Sequence, residues 1–271
     1  MNLKRTLGRG FDRQVVSEID ARLQGLRREG ISILLAIESG SRAWGFPSPD
    51  SDYDCRFIYA RRPQEYLSLF PKRDVIEFPT DAVLDVNGWD IAKALGLLLK
   101  GNAVVIEWLT SPNVYAGDRA FRTEALKLAR RVVRPDLVAR HYLHLGERQR
   151  RTYFADRHDI PLKKMFYALR PAVALRWLRL HPGKPVAPMH FPKLVAETRL
   201  PTSVTAILDD LLARKAITRE MGSGPLPKSL GNLIDSEFSR AREIWTADPP
   251  RERGAEERVT DAFFRKWISG N

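Results

Sequence analysis

The sequence predicts an α+β fold in two parts: a mixed sheet with flanking helices over residues 1–117 and a helical bundle over residues 118–271. Three observations predict it. Short apolar, β-favouring runs punctuated by Gly and Pro fill the first part. Beyond about residue 117 the apolar residues recur at helical spacing. Between two of the early runs lies a turn-rich stretch carrying closely spaced carboxylates. A chain of 271 residues, 44% hydrophobic, is long enough to bury a substantial core in two modest domains. No apolar run approaches the roughly 20 residues that span a bilayer, and MNLKRTLGRGF lacks the apolar core of a signal peptide, so a cytoplasmic protein is expected. The single cysteine, Cys55, excludes an intramolecular disulfide and a zinc cluster and reads as a core thiol.

The first element is an amphipathic helix over residues 12–28, with Val15, Val16, Ile19, Leu23 and Leu26 on one face. Ile31 to Ile37 is a continuous apolar run, the pattern of a buried strand, and it stops at Glu38-Ser39-Gly40-Ser41. Glycine lets main-chain N–H groups turn toward an anion and the serine hydroxyl adds a donor, so Gly40 and Ser41 suit a triphosphate. Asp52 and Asp54 follow. Residues two apart on a strand share a face, so these carboxylates can hold one or two hard cations while Tyr53 and Cys55 point the other way. The β-favouring run Cys55 to Ala60 mounts them rigidly. The competing reading makes PSPDSDYD a solvated loop in which Asp50 and Asp52 form Asx-turns; the Gly-Ser pair and the strands on both sides favour the metal-binding one.

These residues resemble the nucleotidyltransferase superfamily with the DNA polymerase beta fold. GSRAWGFPSPDSDYDCRFIYA, LDVNGWDIAKAL, GNAVVIEWLTSP and KKMFYALRPAVALRW are similar to a bacterial RNA-repair-pathway, RNA-ligase-associated group within it. The resemblance implies two-metal transfer of a nucleoside monophosphate with release of pyrophosphate, using two Mg²⁺ (or Mn²⁺) ions held by Asp52, Asp54 and a third carboxylate. Gly40, Ser41 and Arg42 would position the β- and γ-phosphates. It also implies an RNA acceptor, such as tRNA or a broken RNA end, and is compatible with an RNA-processing protein partner.

A short helix is expected near Pro63 to Phe70, then strands over Asp74–Phe78 and Ala82–Val86 joined by Pro79-Thr80-Asp81. The second strand places Asp85 between Leu84 and Val86, the acid-between-apolars pattern of the superfamily's third carboxylate. Asp90 is the rival, but it opens a helical run to Leu99 and reads as its N-cap; Asp81 reads as a turn residue. Trp89 is assigned to packing. Gly101-Asn102 stops that helix, and Glu107 in the following apolar segment is expected to pair with a Lys or Arg.

The second part reads as helices over residues 118–133, 134–158, 161–181, 201–215, 229–246 and 256–268, with a mobile loop over 221–227. Between Arg119 and Leu180 there are 16 Lys or Arg against 5 Asp or Glu, a surplus of 11 in a chain of net charge +12. That clustering suits a surface that meets phosphate; the bland alternative is solvated helix faces, including Arg148, Arg150, Arg151 and Arg157. Lys163, Lys164, Tyr167 and Arg170 fall at near-helical spacing, offering cations for phosphates and an aromatic for a base. His141 and His144 lack a third ligand. Two other readings stay open: a non-catalytic RNA-binding module of the same fold, and a toxin-type transferase acting on tRNA or a protein.

Overall fold

Asp12 starts the first helix, α1 (Arg13–Arg28), its carboxylate accepting from the N–H groups of Gln14 and Val15. Val16, Ile19, Leu23 and Leu26 are buried, so the predicted face meets the sheet. The computed structural model describes residues 3–81, 83–154, 159–219, 221–245 and 253–270.

The sheet contains β1 (Ser32–Glu38), β2 (Tyr53–Ala60), β3 (Val75–Glu77), β4 (Leu84–Asp90) and β5 (Val114–Gly117), in the order β3-β4-β2-β1-β5. It is mixed because β2 runs parallel to β4 and the other neighbours are antiparallel. A five-residue helix, α2 (Gly40–Trp44), follows β1 directly, and a 3₁₀ turn at Pro63–Leu67 takes the place of the expected short helix. The strand alternation sorts the two faces. Tyr53, Cys55, Phe57, Tyr59, Leu84 and Val86 join the core beneath α1. Ile58 and Ala60 belong to the larger core on the other side, which Asp54 and Arg56 therefore also face.

The strand containing Asp85 runs past its expected end at Val86 to Asp90, because its apolar residues alternate with polar ones instead of forming a block. Ala82, its expected first residue, lies outside the described residues. Asp90 caps α3 (Ile91–Leu99), accepting from Ala92 N–H at 2.8 Å. The apolar segment that follows is a helix, α4 (Ala103–Thr110), capped by Asn102. Trp89 stacks on Trp108 with ring centroids 4.1 Å apart, a packing role.

The helical part comprises α5 (Arg119–Val132), α6 (Pro135–Tyr153), α7 (Leu162–Leu180), α8 (Phe191–Ala196), α9 (Thr202–Ile217), α10 (Lys228–Ile244) and α11 (Gly254–Ile268). α8 was not foreseen, since six residues, the second of them Pro192, carry too little periodicity. The expected continuation of α6 to His158 falls partly on residues 155–158, and the end of α10 at Thr246 on residues 246–252; both stretches lie outside the described residues. The expected mobile loop over 221–227 contains β7 (Ser223–Gly224), which pairs antiparallel with β6 (Ile160–Pro161). One apolar cluster runs from the sheet through α3, α4 and α5 into α7 and α10. Among the described residues no helix is long and apolar enough to cross a membrane.

Much of the basic surplus serves this packing. Arg176 and Arg179 both engage Glu237, Arg122 donates to the carbonyls of Leu109 and Ser111, and Arg140 donates to that of Trp245. Arg134 pairs with Asp136 and Arg150 with Asp235.

Candidate active site

The end of β1 and the start of β2 form one wall of a cleft of about 480 Å³. Ser39, Gly40, Ser41, Asp52 and Asp54 line that wall; Lys163, Lys164 and Tyr167 of α7 and Lys215 of α9 line the other.

Asp54 is held by backbone bonds at both ends. Its N–H donates to Glu38 Oε1 at 2.9 Å, and its carbonyl accepts from Ser39 N–H at 2.8 Å. Glu38 is fully buried and also accepts from the Tyr115 hydroxyl; burial pushes its carboxyl up to about 8. Asp52 precedes the strand by one residue and is exposed. Gly40 has φ +60°, and a Cβ there would lie 2.1 Å from Asp54 Oδ2. The turn thus needs glycine both for its backbone and for the carboxylate pressed against it. Gly40→Ala is expected to cost about 1–2 kcal/mol in backbone strain and, by displacing the Asp54 carboxylate, to slow turnover about a hundredfold; a thermal melt and a rate measurement check both.

Ser41 donates to Ser51 Oγ at 2.9 Å, and Ser51 Oγ also accepts from Ser48 N–H, which folds the loop carrying Asp50 and Asp52 onto the turn. Arg42, expected to reach phosphates, is committed elsewhere. It donates to the carbonyls of Ser51 and Asp52 and stacks 3.9 Å over the Tyr53 ring, so its role in this arrangement is to hold the loop.

Asp85 is the register partner of Asp54 across the parallel pair of β2 and β4. Arg56 stands between them, donating to Asp54 Oδ1 at 3.0 Å and Asp85 Oδ2 at 2.6 Å, and to the carbonyls of Cys55 and Asp85 at 3.1 and 3.0 Å. Burial nevertheless raises the Asp54 pKa, with the Arg56 charge opposing the rise. Asp90 is turned away, its carboxylate accepting from the Tyr66 hydroxyl.

On the opposite wall Lys163 pairs with Asp50 at 2.9 Å, which holds the Asp50 carboxyl below its ordinary value. Lys164 lies over the rings of Tyr153 and Tyr167, and Tyr167 packs edge-on against Trp44. Arg170 does not reach the cleft. It is 3% exposed, pairs with Glu107 at 2.8 Å and stacks 4.6 Å over the Trp44 ring. The expected basic partner of Glu107 is therefore a residue that sequence spacing had assigned to the ligand.

Lys215 was missed. It is 5% exposed, lines the cleft, lies 5.5 Å from the Phe46 ring centroid and has no ion pair among the described residues. Its position at the end of an ordinary amphipathic run carried no signal.

Residues 15–266 match the family described as the RNA repair pathway DNA polymerase beta family. The chain belongs to this family. A Bacillus subtilis (strain 168) protein, YcgL, described as uncharacterized, is 37% identical over 214 residues, covering 79% of this chain and 81% of its own. A solved nucleotidyltransferase-like protein from Exiguobacterium sibiricum 255-15 is 12% identical with a TM-score of 0.30, over 94% of this chain and 91% of that one, a distant likeness.

Members of a polymerase beta family are expected to work with divalent metal, and the donor set tests how far that fits. Asp52 and Asp54 are hard oxygen donors on the cleft wall and fit such an ion. Asp85 does not complete the set as arranged: Arg56 occupies its carboxylate, and among the described residues no three acidic, His or Cys side chains are grouped as a metal site.

Burial, with Lys163 as a lesser cause, lowers the Lys215 pKa to about 8. An anion in the cleft would favour its charged form, so protonation and anion binding are linked. Affinity for a triphosphate is expected to hold steady below pH 8 and to fall above it, toward about tenfold per pH unit. Titration calorimetry across pH 7–9.5 checks this; Lys215→Met should bind more weakly and lose that dependence.

Proposed function

We propose that this protein is a metal-dependent nucleotidyltransferase that transfers a nucleoside monophosphate from a nucleoside triphosphate to a hydroxyl, with an RNA 3′ end as acceptor. The observation that carries the reading is the convergence on one cleft of the Gly40-Ser41 turn, the Asp52 and Asp54 carboxylates, and lysines from two helices. Family membership supports the RNA-repair context. The region after residue 117 supplies the helical wall of the nucleotide site.

A divalent cation on Asp52 and Asp54 would supply charge neutralisation at the transferring phosphoryl group. The chain's own residues do the positioning. The backbone at Gly40 faces the phosphates, the Ser41 hydroxyl turns to them from Ser51, Lys215 and, on exchange from Asp50, Lys163 balance their charge, and Tyr167, 36% exposed, offers a ring to the base. The acceptor oxygen bonds to the α-phosphorus as the bond to the bridging oxygen breaks; pyrophosphate leaves and the hydroxyl proton passes to water or a carboxylate of the site.

The test is to incubate the protein with Mg²⁺ or Mn²⁺, each α-labelled nucleoside triphosphate and a cellular RNA pool. Label on RNA is the expected result. Label on protein would move the acceptor to a polypeptide, and no transfer with RNA still bound would replace the enzyme by a binding module.

A further inference from the structure

Arg56 is not a surface cation resting on an acid. Its guanidinium makes four hydrogen bonds, to Asp54 Oδ1, Asp85 Oδ2 and the carbonyls of Cys55 and Asp85, all between 2.6 and 3.1 Å. Both its strand and that of Asp85 are central in the sheet, and the Asp54↔Asp85 and Arg56↔Asn87 register pairs set the four side chains on one face. Asn87 donates to the remaining Asp85 oxygen at 3.5 Å. The space between Asp54 and Asp85, where an ion shared by them would sit, is filled by a planar, permanently charged group that matches carboxylate geometry. Charge points the same way. Three carboxylates and one guanidinium leave two formal negative charges, which a single divalent cation balances.

We infer that Arg56 takes the place of a second metal ion, so that the site holds one divalent cation, on Asp52 and Asp54, and Asp85 serves as the anchor of Arg56 instead of a metal ligand. This rests on the proposed metal-dependent reading and departs from the two-ion arrangement that the family resemblance implies. The role of Asp85 is then to position Arg56, and through it one oxygen of Asp54.

The experiment counts ions directly. Free Mn²⁺ is titrated by electron paramagnetic resonance against the full chain, alone and with one equivalent of a non-hydrolysable nucleoside triphosphate, and every Mn²⁺ held in the complex is counted, including the one the nucleotide carries. One Mn²⁺ per chain is expected for the unaltered protein, and two for Arg56→Gln, in which the gap is opened and the local charge becomes more negative. Two ions on the unaltered protein would overturn the inference while leaving the metal-dependent reading intact; none would overturn both. Should Arg56→Gln fail to fold, the count on the unaltered protein still decides. Asp85→Asn separates the two roles of that residue: an unchanged Mn²⁺ count, with affinity moved only through Arg56 and Asp54, supports an anchor, and loss of an ion overturns it.

Discussion

Replacing Asp52 and Asp54 together by Asn is expected to abolish nucleotidyl transfer, by on the order of a thousandfold or more, while the protein keeps its fold and its affinity for RNA. The expectation follows from what the two side chains touch. Asp52 is exposed and precedes its strand; Asp54 is held through its backbone by Glu38 and Ser39, bonds that the amide side chain leaves in place. Neither carboxylate is needed to build the core. Their charges also oppose one another, since Asp52 and Asp85 both raise the Asp54 pKa after burial has done so. Neutralising the pair removes that repulsion, so the melting temperature should stay level or rise. Asp85→Asn is expected to be milder, because Arg56 keeps Asp54 and two carbonyls as partners. The measurement is label transfer and RNA retention on the same preparations. A double variant that still transfers label would place the chemistry elsewhere in the molecule.

The parts of this site that could be read from the sequence are those fixed by local chemistry. A buried strand ending at Gly-Ser, carboxylates at strand spacing and an Asp in N-cap position each announce themselves within a few residues. The Asp90 assignment needed only its own helix, and the placing of Tyr53 and Cys55 on the sheet face opposite Asp54 followed from period two. What depended on partners distant in sequence was not legible. Helical spacing groups Lys163 to Arg170, yet Arg170, on the same face as Lys163 but about 10 Å further along the helix, is buried against Glu107, 63 residues earlier, while Lys163, Lys164 and Tyr167 reach the cleft. Arg42 sits beside the phosphate turn in the chain and still spends its guanidinium on the loop that follows. Arg56 was read as one residue of a strand, and only pairing with β4 shows what it stands between. The same distance effect governs charge. A count of basic residues cannot tell Arg176 and Arg179, locked on Glu237, from cations available to a phosphate backbone.

Arg170→Met is expected to lower the unfolding free energy by about 3–5 kcal/mol, because it strands a buried carboxylate. Glu107 Oε1 accepts from Arg170 at 2.8 Å and from the Tyr142 hydroxyl at 3.0 Å, with all three side chains out of solvent. Arg170 also donates to the Met189 carbonyl at 3.4 Å and supports the Trp44 ring. Methionine fills similar volume and removes the charge but cannot satisfy Glu107. The double change Glu107→Gln with Arg170→Met should recover much of the loss, since no unpaired charge is then buried and the glutamine can still accept from Tyr142. Urea unfolding midpoints of the two single variants and the double measure this coupling. The same set separates a structural Arg170 from one that contacts ligand. Trp44 lines the cleft and packs against Tyr167, so a weakened Arg170 should loosen nucleotide binding only through the fold. In the double variant binding should return together with stability. If stability returned and nucleotide affinity did not, Arg170 would have to reach the phosphates after all, against the buried position its pairing with Glu107 gives it.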